Sequence, residues 1–395
     1  MKVTVVGQGY VGLPLSIAAA QAGYKVFGLD KDAQKIQMLG SGHTVIEDIS
    51  NKELRAELKS GNYFPTSDFS VIKESEVVIL CVPTPLANDR QPDLGVLEEA
   101  LTTTAQYLTN GTLVIVESTI HPGASEDILI PLVKQSSQLE ANQIHFAYSP
   151  ERIDPTNNKW NIKNTPKLVA GNTPEALSKA MRFYGKFIEK IIKCESLKIA
   201  EMAKLLENTY RLVNISLINE IADYCEKINV NTIKVIEAAS SKPYGFMPFY
   251  PGLGAGGHCI PVDPIYLMTA AQVMQSRIKL IEVAAEINQN RYKHFMDLAT
   301  RRFGNLEDKR VLIVGVAYKS NVADVRETPV EALILALKEI GAKVSWHDDL
   351  VKEWNNEKSV AISNEFDLAI IATPHDYLDL TNLGSVPILN TRETI

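Results

Sequence analysis

The stretch Lys2-Val-Thr-Val-Val-Gly7-Gln-Gly9-Tyr10-Val11-Gly12 decides the fold. Its first half is rich in β-branched residues and reads as a strand. A G-x-G-x-x-G directly after that strand, opening a helix, is the pattern of a parallel α/β sheet built to meet a dinucleotide. Gly7 permits the tight turn, Gly9 lets backbone approach a pyrophosphate, and Gly12 lets the helix pack on the strand. The pyrophosphate would then face unpaired N–H groups and the positive end of the helix dipole. The next strand, Lys25–Asp30, ends on a carboxylate 18 residues beyond Gly12. An acid there binds a ribose 2′-hydroxyl and repels a 2′-phosphate, so NAD is favoured over NADP.

Outward from this unit, Val77–Val82, Leu113–Glu117 and Ile144–Tyr148 read as further strands. Amphipathic stretches separate them, as in a parallel sheet. They end in Pro83-Thr84-Pro85, Ser118-Thr119 and Ser149-Pro150-Glu151-Arg152. Ligands of open α/β sheets bind outside the carboxyl ends of strands, so these tips are candidate site positions. After Gly304-Asn305 the pattern returns. Lys309–Gly315 echoes Lys2–Gly7, Gly341–Asp348 echoes Gly23–Asp30, and Phe366–Pro374 echoes Glu76–Pro85. Matched segments in the same order suggest two related nucleotide-binding sheets.

Between them, Ile199, Met202, Leu205, Leu206, Leu212 and Val213 recur at helical spacing, without glycine or proline from Leu197 to Ile228. Such a helix is about 45–50 Å long, enough to link two domains and offer a dimer surface. A second helical stretch covers Val262–Phe303, interrupted near its start. The expected class is therefore α/β, two Rossmann-like parallel-sheet domains joined by a long central helix in a helical dimerisation region. The expected divisions are 1–196, 197–303 and 304–395.

Composition sets the outer limits. The 395 residues are 45% hydrophobic and 22% charged, with net charge −7, values of a folded globular chain without a basic excess for nucleic acid or anionic membrane. The N-terminus has no signal-peptide h-region, and no apolar run is long enough to span a membrane. Cys81, Cys194, Cys225 and Cys259 lie far apart, with no Cys-x-x-Cys or histidine pair at ligand spacing. Neither a metal site nor a disulfide framework is expected, and a reduced, cytoplasmic chain is.

A second glycine cluster, Phe249-Tyr250-Pro-Gly252-Leu-Gly254-Ala-Gly256-Gly257-His-Cys259, can wrap a ligand with bare amides and deliver a thiol at its end. Cys259 is either a small buried hydrophobe or a thiolate stabilised by nearby amides and cations. Asp263 and Pro264 suit an N-cap and first helical residue. Lys204 and Asn208 share a helix face, extended by Arg211; such a stripe is either a solvated face or part of a site.

These segments resemble the UDP-glucose/GDP-mannose dehydrogenase family over nearly the whole chain. The resemblance is carried by Gly7–Gly12, Val116–Gly123, Ser149–Arg152, Glu201–Arg211, Pro251–Pro264 and Gly315–Pro329. It implies an NAD-dependent four-electron oxidation of the C6 hydroxymethyl of a UDP-sugar to the uronic acid. Cys259 would be the nucleophile, Lys204 and Asn208 the oxyanion-stabilising pair, and Asp263 and Thr119 the residues holding a water. Glu151 would act in thioester hydrolysis. The cofactor contacts implied are Gly7, Gly9, Tyr10, Val11, Gly12, Asp30, Lys35, Thr84, Thr119 and Arg326. Those toward the sugar nucleotide are Glu151, Arg152, Lys204, Asn208, Phe249, Tyr250, Gly252, Gly256 and Lys319. A homodimer through the central helix is also implied. Family members acting on UDP-glucose commonly read Gly-Gly-Ser-Cys-Phe-Pro-Lys-Asp at the nucleophile. This chain reads Gly256-Gly-His-Cys-Ile-Pro-Val-Asp263, as in UDP-N-acetylhexosamine dehydrogenases, and Lys242–Tyr250 resembles the UDP-N-acetylglucosamine branch. UDP-N-acetylmannosamine and UDP-glucose are the alternatives within the family. A two-electron dehydrogenase of the 3-hydroxyacid or 6-phosphogluconate type and a non-enzymatic NAD sensor are the alternatives outside it.

Overall fold

The computed structural model describes residues 1–44, 46, 48–154, 157 and 159–392. They divide into two compact units, 1–206 with 265–274 and 207–264 with 275–395.

In the first unit the elements run β1 (Lys2–Val6), α1 (Gly12–Gln21), β2 (Lys25–Leu29), α2 (Ala33–Gly40), α3 (Asn51–Ser60), β3 (Tyr63–Thr66), β4 (Val77–Leu80) and α4 (Gly95–Ala105). They continue β5 (Leu113–Val116), α5 (Ile130–Ser136), β6 (His145–Tyr148), β7 (Lys167–Gly171), α6 (Pro174–Tyr184) and β8 (Ile191–Lys193). The strands form one sheet in the order β3-β2-β1-β4-β5-β6-β7-β8. All pairings are parallel except β6 with β7.

Both faces of the sheet's centre are buried, so β4, β5 and β6 are buried at every position and almost continuously apolar. Successive side chains alternate. Val3, Val5, Val77, Ile79 and Ile115 enter one core with Leu13, Ile17 and Phe183. Val6, Val78, Leu80, Val114 and Val116 enter the other with Leu97, Leu101 and Leu129. The strands stop a residue or two short of the sequence reading, leaving Asp30, Cys81 and Glu117 on the tips. Three strands were not legible. β3 contains Pro65, which a ladder tolerates because β3 is the sheet edge. β7 is as long as β1 but follows no glycine signal, and β8 spans only three residues.

Helix α7 (Leu197–Lys227) matches the expected spine. In the second unit follows α8 (Thr232–Ser240), which the sequence reading missed; α9 (Asp263–Val273) falls almost wholly in the first unit, and after a break the second unit resumes with α10 (Lys279–Phe303). Gln275 turns the chain there at φ 53°. Then come β9 (Arg310–Val314), α11 (Val330–Glu339), β10 (Lys343–His347), the small antiparallel pair β11 (Glu353–Trp354) and β12 (Glu357–Lys358), β13 (Leu368–Ile371) and β14 (Ile388–Asn390). The second sheet is parallel, in the order β10-β9-β13-β14. The three sequence echoes are thus a repeated topology: β10-β9-β13 copies β2-β1-β4.

Among the described residues no helix is long and apolar enough to cross a membrane.

Candidate active site

Gly7 follows β1 at φ +91°, and a Cβ there would lie 2.6 Å from the Cys81 carbonyl oxygen. A Cβ on Gly12 would lie 1.8 Å from the Gly7 oxygen, so the first turn of α1 is pressed onto the loop. Over Gly9 there is nothing within 4 Å, which leaves backbone open to an approaching group. No side chain caps α1, whose N-cap is Val11. The loop therefore has the open backbone and helix terminus that a pyrophosphate requires, and the residues present fit a dinucleotide.

Asp30 is 8% exposed, so its carboxylate is oriented by the protein rather than by water. It accepts the Gln8 amide at 2.9 Å, the Asp32 amide at 3.0 Å and the Lys35 ammonium at 2.8 Å. Burial pushes this carboxyl up, but the Lys35, Asp32 and Gln8 hydrogen bonds outweigh it and hold it below the usual range. Lys35 is thus turned onto Asp30 itself. Thr84 lies just past β4, its carbonyl accepting the buried Tyr266 hydroxyl at 3.1 Å. Tyr10, Val11 and Thr119 are half-buried, and Lys204 is buried.

Glu151 lies past the end of β6. Its Oε1 accepts the Arg152 amide at 2.6 Å and that of Ile153, and the Arg152 guanidinium donates to the Pro166 carbonyl at 2.6 Å. On α7, Glu201 is fully buried and accepts the Gly123 and Ser125 amides at 2.6 and 3.0 Å, fixing the turn that follows Thr119.

In the second unit, buried polar groups clamp the second glycine loop. Asn219 of α7 accepts the Gly252 amide at 2.9 Å. From α10, Arg291 donates to the Gly252 carbonyl at 3.1 Å, and Asn288 both accepts the Ala255 amide at 2.7 Å and donates to its carbonyl at 3.0 Å. The Gly257 amide donates to the Arg326 carbonyl at 3.1 Å. A Cβ on Gly256 would lie 2.7 Å from the Glu327 oxygen, which leaves no room for any other residue. The loop ends at half-buried Cys259, whose carbonyl accepts the Val262 and Asp263 amides at 3.1 and 2.9 Å as the chain turns into α9. Asn208 donates one amide proton to the buried Asp263 carboxylate at 2.5 Å. Tyr210 packs edge-on against Phe249 at 5.9 Å.

The loop borders a cavity of about 530 Å³, of the size of a small-molecule site. Tyr250, Gly252 and Gly254 line it with Ile215, Ile233, Tyr318, Thr373, Thr391 and Arg392. Of the expected substrate positions the structure brings Tyr250 and Gly252 into this wall, with Gly256 and Lys319 adjacent in sequence to loop and wall. Arg326 belongs to this unit, its guanidinium on Asp324, whereas the other expected cofactor residues belong to the first unit. Arg211 is exposed. Asn219, Asn288, Arg291, Thr373, Thr391 and Arg392 were missed by sequence reasoning: each is a lone polar residue far in sequence from what it serves.

Residues 1–188 match the NAD binding domain of the UDP-glucose/GDP-mannose dehydrogenase family, 198–290 its central domain and 312–392 its UDP binding domain. The chain belongs to this family. It is an oxidoreductase, an NAD-dependent nucleotide-sugar dehydrogenase, with a UDP-sugar as substrate. Among its relatives is the UDP-N-acetyl-D-glucosamine 6-dehydrogenase of Salmonella typhi, 33% identical over 95% of this chain and 90% of that one. The UDP-N-acetyl-D-mannosamine dehydrogenase of Pyrococcus horikoshii is 32% identical over 98% and 92%. A solved structure of the Pyrococcus horikoshii UDP-D-ManNAc dehydrogenase superposes with TM-score 0.90 at 31% identity, covering 100% of this chain and 96% of that one.

Proposed function

We propose that this dehydrogenase oxidises C6 of UDP-N-acetylglucosamine from the alcohol to the carboxylate. The net reaction is RCH₂OH + 2 NAD⁺ + H₂O → RCOO⁻ + 2 NADH + 3 H⁺. The observation that carries the reading is the clamped glycine loop: its first half lines the cavity, and its end presents Cys259 ahead of a helix N-terminus, where a thiolate is favoured.

The Gly7–Gly12 loop and Asp30 would hold NAD, which would supply the hydride acceptor for each oxidation. In the first, a water held by Thr119 and Asp263 takes the hydroxyl proton and the alcohol becomes an aldehyde. The Cys259 thiolate then adds to the aldehyde carbon, and Lys204 and Asn208 stabilise the oxyanion that forms. Loss of the second hydride turns this thiohemiacetal into a thioester. Water, activated by Glu151, adds to the thioester carbon; the C–S bond breaks, the acid leaves and the thiol is restored. The Asn208–Asp263 hydrogen bond supports the pairing of these roles, since it fixes the amide that must donate to the oxyanion.

The preference for an N-acetylglucosamine rests on Gly256–Asp263 and Lys242–Tyr250. We read the chain as three functional parts, 1–196, 197–303 and 304–395, acting in the cytoplasm as a homodimer. Four free thiols suit a reducing compartment. A stripe of exposed apolar residues on α7 and the residue just past it supports the dimer: Tyr210 49%, Leu217 54%, Ile221 37% and Tyr224 60%, then Ile228 48%. Spaced 7, 4, 3 and 4 apart, they share one helix face.

Comparing kcat/KM for UDP-N-acetylglucosamine, UDP-N-acetylmannosamine and UDP-glucose tests the sugar. UDP-N-acetylglucosamine is expected to be highest; a higher value for another sugar overturns that choice.

A further inference from the structure

One strand of the large sheet runs against its neighbour and so delivers its first residue, not its last, to the edge where the parallel strands end. That strand is β7, paired antiparallel with β6 through Ala147–Gly171 and Tyr148–Ala170. Continuing the register past the ladder sets Lys167 opposite Glu151. The contacts beyond the ladder keep that register, the Ser149 hydroxyl donating to the Leu168 carbonyl at 2.8 Å and Arg152 to that of Pro166 at 2.6 Å.

Lys167 is 6% exposed. Its ammonium lies 2.8 Å from Glu117 Oε2 and 3.6 Å from Glu151 Oε2. Glu117 is the residue directly after β5, 1% exposed, and its other oxygen accepts the Tyr184 hydroxyl. Glu151 is thereby held from two sides, its Oε1 by the Arg152 and Ile153 amides and its Oε2 by Lys167.

We propose that Lys167 is a positioning residue for Glu151, orienting its carboxylate for thioester hydrolysis while Glu117 anchors the ammonium. The proposal rests on the reading of Glu151 given above. A buried ammonium between two carboxylates is held by their fields. Burial alone would draw Lys167 down, but Glu117 and Glu151 more than offset this and hold it up, so it remains a cation. Burial pushes Glu117 up against the pull of Lys167. The other groups facing the ammonium are the Cys81 thiol and the Tyr184 ring, 5.4 Å away; burial pushes both up, so both stay neutral. Lys167 is then the positive charge that the two glutamates share, and the share that falls to Glu151 depends on Glu117.

The test follows NADH and acid formation on the UDP-sugar turned over best, with wild type, Lys167→Gln, Lys167→Arg, Glu117→Gln and Glu151→Gln. In Lys167→Gln the initial NADH burst is expected to persist. Steady-state acid formation falls about 10²-fold and KM for the sugar is unchanged. Lys167→Arg, which keeps the charge, recovers acid formation. Burst and acid formation falling together in Lys167→Gln, or no recovery in Lys167→Arg, would overturn the proposal. If Lys167→Gln does not fold, Glu117→Gln decides: with its 2.8 Å anchor gone the ammonium no longer orients Glu151, so the burst persists while acid formation falls, and unaltered acid formation overturns the idea. Glu151→Gln separates the two levels. Unaltered acid formation there removes the reading on which the proposal rests, whereas a defective Glu151→Gln beside a normal Lys167→Gln overturns the proposal alone.

Discussion

Asp348 follows β10 as Asp30 follows β2, and both accept the amide after a strand-ending glycine or its neighbour, Val316 N–H at 2.9 Å and Gln8 N–H at 2.9 Å. They differ in what else they hold. Both Asp348 oxygens are occupied from within, Oδ2 also by Ala317 and His375 at 3.3 and 3.2 Å, and Oδ1 by the Leu350 and Val351 amides at 2.9 and 3.0 Å. Asp30 keeps an oxygen, Oδ1, whose protein partner is the Asp32 amide at 3.0 Å. Asp348 thus braces its own sheet with both oxygens, whereas Asp30 Oδ1 has the Asp32 amide alone among the described residues.

Asp30→Ala is expected to weaken NAD and to narrow the preference over NADP, because the acceptor for the 2′-hydroxyl is lost and Lys35 is released from its 2.8 Å pair. Initial rates with both cofactors measure this. Unchanged kinetics with each would show that Asp30 has no part in cofactor choice.

Asp348 gives a pH prediction. Burial raises its carboxyl, but the His375 hydrogen bond and the Val351, Val316 and Leu350 amides bring it down to about 2. A folded pKa below the unfolded value stabilises above the unfolded pKa and is lost as pH falls through the folded one. From the ordinary value near 3.9 this amounts to about 2 kcal/mol at neutral pH. Asp348→Asn is expected to lose that amount in urea melts at pH 7, with the gap narrowing at pH 3. An equal gap at both pH values would contradict it.

Much of this architecture is legible in the residues. The turn at Gly7–Gly12, the carboxylate after β2 and the unbroken apolar spacing of α7 are local patterns, each set by neighbours in sequence. Asn219, Asn288 and Arg291 are not, because they serve a loop 33 to 39 positions away and carry no periodic signal. Lys167 was hidden for a different reason. Its place at the site follows from the reversed direction of β7, and strand direction is a property of the assembled sheet, not of Lys-Leu-Val-Ala-Gly.

Gly256→Ala tests the second loop. Its Cβ would lie 2.7 Å from the Glu327 oxygen, 2.8 Å from Pro329 Cδ and 2.9 Å from Tyr318 Cβ, and backbone cannot swing aside as a long side chain can. A loss of about 1–3 kcal/mol in stability is expected, with KM for the UDP-sugar raised and NAD affinity kept. Calorimetric titration of each ligand checks this; equal weakening of both would show global damage.

The exposed face of α7 predicts the assembly. Leu217→Asp with Tyr224→Asp, at 54% and 60% exposure, is expected to halve the mass seen by light scattering. A monomeric wild type would contradict the dimer.

The most direct test of the account is the number of NADH formed per UDP-N-acetylglucosamine consumed, followed to completion with excess NAD. The covalent route through Cys259 predicts two, with the carboxylate as product. One NADH per sugar, with a carbonyl compound as product, would contradict the four-electron oxidation.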